Sequence, residues 1–259
     1  MAKKNVLANS DMPKKELRKL YKEIKDDMKV KSKDLDVIFE IAMSDRENLF
    51  PNQNKDTEEE CLRNWIKRYT QSVKNLPSSH KGETKKTCSD PALAKIVKIA
   101  CGLDDDEIEE MERAHNLFMS AENIQGELLE EYIARNVEDS GWIWCAGNTL
   151  RAVDFCKKDG SALLQVKNKN NTENSSSSAI RNGTEIKKWY RLKTKRKKTN
   201  PEPSYEWDKL NDIINGDLDY DEEPCEMSEK DYQHFLKKVA KRNPGIILEG
   251  ELWIKDTDK

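Results

Sequence analysis

From Lys14 onward apolar residues return every three or four positions: Leu17, Leu20, Tyr21, Ile24 and Met28, then Leu35, Ile38, Phe39 and Ala42. That period marks one face of an α-helix, so the spacing predicts a succession of amphipathic helices from Lys14 to about Leu117. Further helical segments run through Cys61, Leu62, Trp65, Ile66 and Tyr69 and through Leu93, Ile96, Val97 and Ala100, with polar loops at 51–56 and 77–90 between them. Asp104, Asp105 and Asp106 suit a helix start, where the macrodipole favours negative charge, better than a metal site. After Ser120 the stretch ENIQGELLEEYIARNVEDSG adds one more amphipathic helix, and the period then changes to two. Trp142, Ile143, Trp144 and Cys145 read as a buried strand, Gly147-Asn148 as a turn, and Leu150 to Cys156 as a second strand. Lys158-Asp159-Gly160 reads as a tight turn before a third strand, Leu163 to Lys167. Beyond lie a polar stretch, NKNNTENSSSSAIRNGT, a basic segment, IKKWYRLKTKRKK, and an acidic stretch from Asp217 to Glu229. A helix near 232–240 and a strand near 246–254 complete the pattern, which contains no internal repeat.

Composition narrows the chemistry. The chain has 259 residues, 36% hydrophobic and 37% charged, and its 46 Lys and Arg against 49 Asp and Glu leave a net charge of −3. That balance excludes a uniformly basic DNA-coating protein while leaving room for a local basic groove. No apolar run reaches membrane-helix length and the Lys-rich N-terminus lacks the apolar core of a signal peptide, so a soluble cytoplasmic protein is expected. Six cysteines, at 61, 88, 101, 145, 156 and 225, show no CxxC or zinc spacing and read as reduced thiols. The three histidines are scattered, and P-loop, GxGxxG and GxSxG signatures are absent from the sequence.

The strand-like region carries the candidate chemistry. With Asp159-Gly160 as a two-residue hairpin loop, cross-strand partners have numbers that sum to a constant, which sets Asp154 opposite Gln165. Opposed side chains share a face about 5 Å apart, and alternation brings Lys167 to that face beside Ala152. Val153 against Val166 and Phe155 against Leu164 then form the apolar reverse. A carboxylate, an amide oxygen and an ammonium in a line suit a hard cation such as Mg²⁺, which takes oxygen ligands and polarises a phosphodiester, with Lys167 orienting the attacking water.

Asp154 followed by Gln165-Val166-Lys167, directly after an acidic helix, resembles the PD-(D/E)xK nuclease core, with Gln in place of the usual acid and Val153 where the name-giving Pro would stand. The superfamily's helix motif is matched by Gly126, Leu129, Glu130 and Ile133, which implies Glu130, rather than Glu127 or Glu131, as a further metal ligand. The stretch WCAGNTLRAVDF with LLQVKNKNNTENSSSSAIRNGTEIKKWYR is more specifically similar to type II restriction endonucleases of the SinI type, over roughly residues 120–195. The implied architecture is an α/β protein: a helical region over 1–119, serving dimerisation or DNA clamping, and a mixed-sheet αβββ core over 120–259 for catalysis and DNA recognition. The implied activity is Mg²⁺-dependent cleavage of double-stranded DNA at a short near-palindromic, GGWCC-like site. It leaves 5′-phosphate ends, works as a homodimer, and requires a companion DNA methyltransferase in the host.

The residues after the hairpin offer DNA contacts. Asn168, Lys169, Asn171, Ser177 and Ser178 supply donors and acceptors, Arg181 and Asn182 suit bidentate reading of guanine and adenine, and Lys187, Lys188 and Arg191 concentrate positive charge for phosphates. Core packing is expected for Trp142 and Trp144, and a solvated loop for the acidic stretch. The competing readings are a repair-type nuclease without base readout, and a DNA-binding protein whose catalytic site has decayed, for which Gln165 is the argument.

Overall fold

The computed structural model describes residues 5–82, 90–169, 186–195, 202–216 and 218–247. Its elements in chain order are α1 (Lys14–Asp27), α2 (Lys33–Ser44), α3 (Arg46–Leu49), α4 (Glu58–Lys74), α5 (Pro91–Cys101) and α6 (Asp105–Val137). Strands β1 (Trp142–Trp144), β2 (Phe155–Lys157), β3 (Leu163–Lys169), β4 (Ile186–Lys195) and β5 (Glu202–Tyr205) follow, then α7 (Trp207–Asn215) and α8 (Glu229–Arg242). The chain is α/β, with a five-stranded mixed sheet in the order β1-β2-β3-β4-β5. All neighbours are antiparallel except β3 and β4, which run parallel. Among the described residues no helix is long and apolar enough to cross a membrane.

Two compact units emerge, residues 1–76 with 130–232 and residues 77–129 with 233–259. The expected boundary at 119/120 falls inside α6, a single helix of 33 residues. In the first unit the N-terminal helices and the sheet share one core. Leu17, Leu35, Ile38, Leu62 and Ile66 cluster with Ile143, Cys145, Cys156 and Ile186 of the strand region. At its centre Tyr21 stacks on Phe39 at 3.8 Å, and Trp65 meets both edge-on at about 6 Å, as ring quadrupoles favour. The helices pack on one another and cover one sheet face, burying their apolar stripes in that shared core. A second aromatic group joins Tyr132 of α6, Trp189 of β4, Trp207 of α7 and Tyr232 of α8.

The second unit buries Leu128, Val239 and Ile246 against Ile124, Phe235, Leu236 and Ile247. The acidic start of α6 is a reciprocal cap, Glu107 N–H donating to Asp104 Oδ1 and Asp104 N–H to Glu107 Oε2, both at 2.9 Å. That accounts for this acidic run as a helix start.

Local departures from the sequence reading have physical causes. Residues 150–154 form turns instead of the first half of a strand: Ala152 takes φ +62°, Leu150 pairs with Val153, and β2 begins only at Phe155. Val153 accordingly joins the core under the N-terminal helices and does not sit against Val166, and no Ala152–Lys167 pair forms. The hairpin keeps the expected register, Phe155 with Leu164 and Cys156 with Leu163. Its connection is longer than two residues: Lys157 N–H closes on Ala162 O at 2.9 Å, and Asp159 Oδ1 accepts from the Ser161 N–H and hydroxyl. Pro244–Ile246 is a helical turn, and most of the strand expected at 246–254 lies outside the described residues. In the acidic stretch Asp219, Asp221, Glu223 and Glu226 are exposed, whereas the Glu222 carboxylate lies 3.7 Å from Nζ of the buried Lys157 and Glu229 pairs with Arg191 at 2.7 Å.

Candidate active site

Asp154 stands where the chain leaves the turns and enters β2. Its N–H donates to Leu164 O at 2.9 Å although Leu164 is already the register partner of Phe155, so two residues of this chain stand opposite one of β3. Such a bulge re-aims a side chain. The Asp154 carboxylate turns onto β3, where Oδ2 accepts the Val166 N–H at 2.7 Å, between Gln165 and Lys167. Burial raises its pKa to about 6; the Val166 hydrogen bond and the Lys167 charge oppose that rise without cancelling it. A carboxyl poised near neutrality in a partly dry site is what a cation-binding or proton-handling group needs.

Gln165 is 3% exposed, and its Oε1 is buried without a hydrogen-bond donor. An orphaned buried acceptor costs about 1–3 kcal/mol, which a cation would offset. Asp154 and Gln165 together offer oxygen only, the donor chemistry of Mg²⁺ rather than of zinc or copper. Among the described residues no group of three or more His, Cys, Asp or Glu could hold a metal. With fewer than three such groups, the Gln165 amide oxygen and water are the further oxygen donors open to a cation at Asp154.

Glu130 approaches from α6 with Oε2 accepting the indole N–H of Trp144 at 3.1 Å. Trp144 precedes Cys145, whose N–H donates to Asp154 O at 2.8 Å. The buried Cys145 thiol, pushed up chiefly by desolvation and by its neighbour Cys156, also feels both Asp154 and Glu130. Glu130 and Asp154 are thus tied to the consecutive residues Trp144 and Cys145, the first through its carboxylate and the second through its carbonyl. The alternatives differ: Glu127 is exposed, and Glu131 is fully buried, bound to Arg135 at 2.6 Å.

The loop between β1 and Asp154 is held from α4. Trp65 Nε1 donates to Thr149 O at 2.7 Å. Gly147, at φ +71°, lies so close to α4 that a Cβ would stand 2.7 Å from Arg68 O. Sequence reasoning assigned Trp65 only to a helix core; nothing in its spacing indicates a partner 84 residues away.

The candidate DNA contacts divide. Lys169 and Lys187 are exposed and Lys188 is half-buried. Asn171, Ser177, Ser178, Arg181 and Asn182 lie outside the described residues. Arg191 departs from expectation. It is 5% exposed, its Nη1 donates to both oxygens of Glu229 at 2.7 Å, its Nε donates to Asn168 Oδ1 at 2.8 Å, and its guanidinium stacks over Tyr205 and Tyr232. Strand alternation in β4 turns Arg191 to the same side as the buried Trp189, so a cation that reads as a phosphate contact becomes an internal tie that also engages Asn168. The helix α7 was missed, although Trp207, Leu210 and Ile214 carry its apolar period.

A helix followed by a three-stranded antiparallel meander, with a carboxylate at the entry to the second strand and Gln-x-Lys on the third, defines a nuclease core of the PD-(D/E)xK type. The profile of the SinI restriction endonuclease family matches residues 66–241, and the chain belongs to that family. It is 38% identical to the type II restriction enzyme Eco47I of Escherichia coli over 189 residues, 71% of this chain and 74% of that enzyme. It is 36% identical to the type II restriction enzyme SinI of Salmonella infantis over 160 residues, 60% of this chain and 64% of that enzyme. The protein is thus a type II restriction endonuclease, a site-specific deoxyribonuclease acting on double-stranded DNA.

Proposed function

We propose that the enzyme cuts a short near-palindromic sequence of the GGWCC kind with Mg²⁺ held by Asp154, Gln165 and Glu130, leaving 5′-phosphate ends. The observation that carries the site assignment is the Asp154 carboxylate docked on the β3 backbone between Lys167 and Gln165, with the Gln165 amide oxygen buried and without a donor. When bound, the metal supplies Lewis-acid stabilisation of charge on the scissile phosphate. Lys167 orients the attacking water and offsets negative charge growing on the phosphorus oxygens. Trp144 fixes Glu130, and the Val166 N–H fixes Asp154, so neither carboxylate must be ordered during the reaction. Lys169, Lys187 and Lys188 contribute phosphate contacts, and Arg181 and Asn182 read bases. The GGWCC-like target follows from the resemblance over residues 120–195. A two-fold sequence is met most simply by a two-fold dimer, each subunit cutting one strand, and a companion methyltransferase protects host DNA.

The test is incubation of the purified protein with unmethylated phage DNA in Mg²⁺ or in EDTA, followed by end sequencing. Discrete fragments only with Mg²⁺, sharing one terminal sequence, are expected. A smear overturns site specificity, and intact DNA in both lanes overturns catalysis and leaves a binding protein, the reading to which Gln165 would then belong.

A further inference from the structure

The hairpin of α5 and α6 in the second unit carries a face that none of the described residues of that unit covers. Helix α5 buries none of its residues, and Leu93, Ile96 and Ile99, spaced by three, are 60%, 65% and 72% exposed. On α6, Met111 and Phe118, seven residues apart and so on one side of the helix, are 52% and 72% exposed. Single exposed apolar residues are ordinary, but five large ones on two consecutive helices mark a contact surface.

Charge tells what kind of contact. The two helices, tied by Lys98 to Asp105 at 2.5 Å, flank a groove of about 580 Å³ with Ala94, Ile99 and Ile108 along it. Its α5 wall carries Lys95 and Lys98, and its α6 wall carries Asp105, Glu109 and Glu112. Residues 91–101 contain no acid, and 105–112 contain six acids and no cation. An acidic or a basic ligand would satisfy one wall and be repelled by the other. A second copy of the same hairpin, turned by a two-fold axis, presents its own basic wall to the acidic one and its acidic wall to the basic one, which is the self-complementarity of an isologous contact.

We infer that the α5–α6 face is the homodimer interface, burying Leu93, Ile96 and Ile99 at its centre between rims of opposite charge. The inference rests on the proposed two-fold cleavage, which calls for two catalytic centres, and it names the surface that joins them.

The test is sedimentation velocity of the full chain beside the double variant Ile96→Glu, Ile99→Glu and the single variant Lys95→Glu. The wild type should sediment at twice the 30.0 kDa chain mass. The double variant should be monomeric with unchanged circular dichroism, because neither side chain is buried within its own chain, and its melting temperature should lose the dependence on protein concentration that a dimer shows. Its double-strand cuts should give way to slow nicking. Lys95→Glu should raise the dimer dissociation constant about tenfold, less so in high salt, as a like-charge rim requires. A wild-type monomer, or a double variant that still sediments as a dimer, overturns the interface whatever else covers the face. The two readings fail separately: a dimeric wild type that cuts no DNA in Mg²⁺ loses the proposed catalysis, whereas a monomer that cuts specifically loses only the interface.

Discussion

Replacing Asp154 with Asn should make the metal-free protein more stable while destroying its activity. The carboxyl titrates at about 6 in the folded chain against an ordinary 3.8, because burial outweighs the Val166 hydrogen bond and the Lys167 charge. A carboxylic acid whose folded pKa is raised binds more protons folded than unfolded, so stability falls as pH rises through the window from 3.8 to about 6, and the cost is complete above it. At 1.36 kcal/mol per pH unit that cost is about 3 kcal/mol at most. Asn keeps an oxygen for the Val166 N–H and removes only the charge. Urea unfolding in EDTA should therefore find the variant more stable by up to about 3 kcal/mol at pH 8, by roughly half that at pH 5, and by little at pH 4. Mg²⁺ at about 100 times its dissociation constant adds about 2.7 kcal/mol to the wild type by mass action and should add much less to a variant that has lost a charged ligand. A variant no more stable than wild type at pH 8, or a gap that does not close toward pH 4, would refute the desolvation argument.

Other expectations follow from single contacts. Lys167→Ala should abolish cleavage and leave DNA binding in Ca²⁺ or EDTA nearly unchanged in a gel-shift assay; cleavage at the normal rate removes Lys167 from the mechanism. Trp65→Phe keeps the aromatic cluster but deletes the bond to Thr149 O, and should cost about 1 kcal/mol in urea unfolding, with kcat falling more than KM rises because the loop it holds leads to Asp154. Arg191→Ala leaves Glu229 half-buried without its cation and should cost about 3–5 kcal/mol, read as a lowered melting temperature. Lys187→Ala should leave melting unchanged, weaken DNA binding uniformly across sequences, and reduce the salt slope by about one.

The comparison of sequence with structure turns on range. The helices α1, α2 and α4 were legible because each buries a stripe of period three to four, and the Phe155–Leu164 register was legible because a short hairpin fixes it locally. The setting of Asp154 was only half legible. Its proximity to Gln165 and Lys167 follows from the register, but the turns at 150–154 and the bulge that aims it onto Val166 depend on Ala152 at φ +62° and on packing of Val153 under distant helices. Arg191 was misread for the related reason that composition carries no direction. A basic run looks uniformly solvated until a strand alternates it, and then Lys187 meets solvent while Arg191 turns to Glu229 beneath two tyrosines. That Gln165 would be buried with an unsatisfied oxygen has no sequence signal at all.

The position of α4 changes how the N-terminal helices bear on catalysis. A region that only clamped DNA would owe nothing to the geometry of Asp154, yet α4 touches the chain that delivers Asp154 twice. The Trp65 indole donates to Thr149 O, and the absence of a side chain at Gly147 lets the loop close on the Arg68 carbonyl. Between those contacts and Asp154 lie only the turns at 150–153, whose Arg151 N–H donates to Leu49 O at 2.8 Å, again in the N-terminal helices. Three attachments thus hold six or seven residues of otherwise irregular chain. Irregular backbone stays fixed only where the surroundings over-determine it, so the helical region supplies the rigidity that the short strand β2, three residues long, cannot give the carboxylate at its entry that we propose as catalytic.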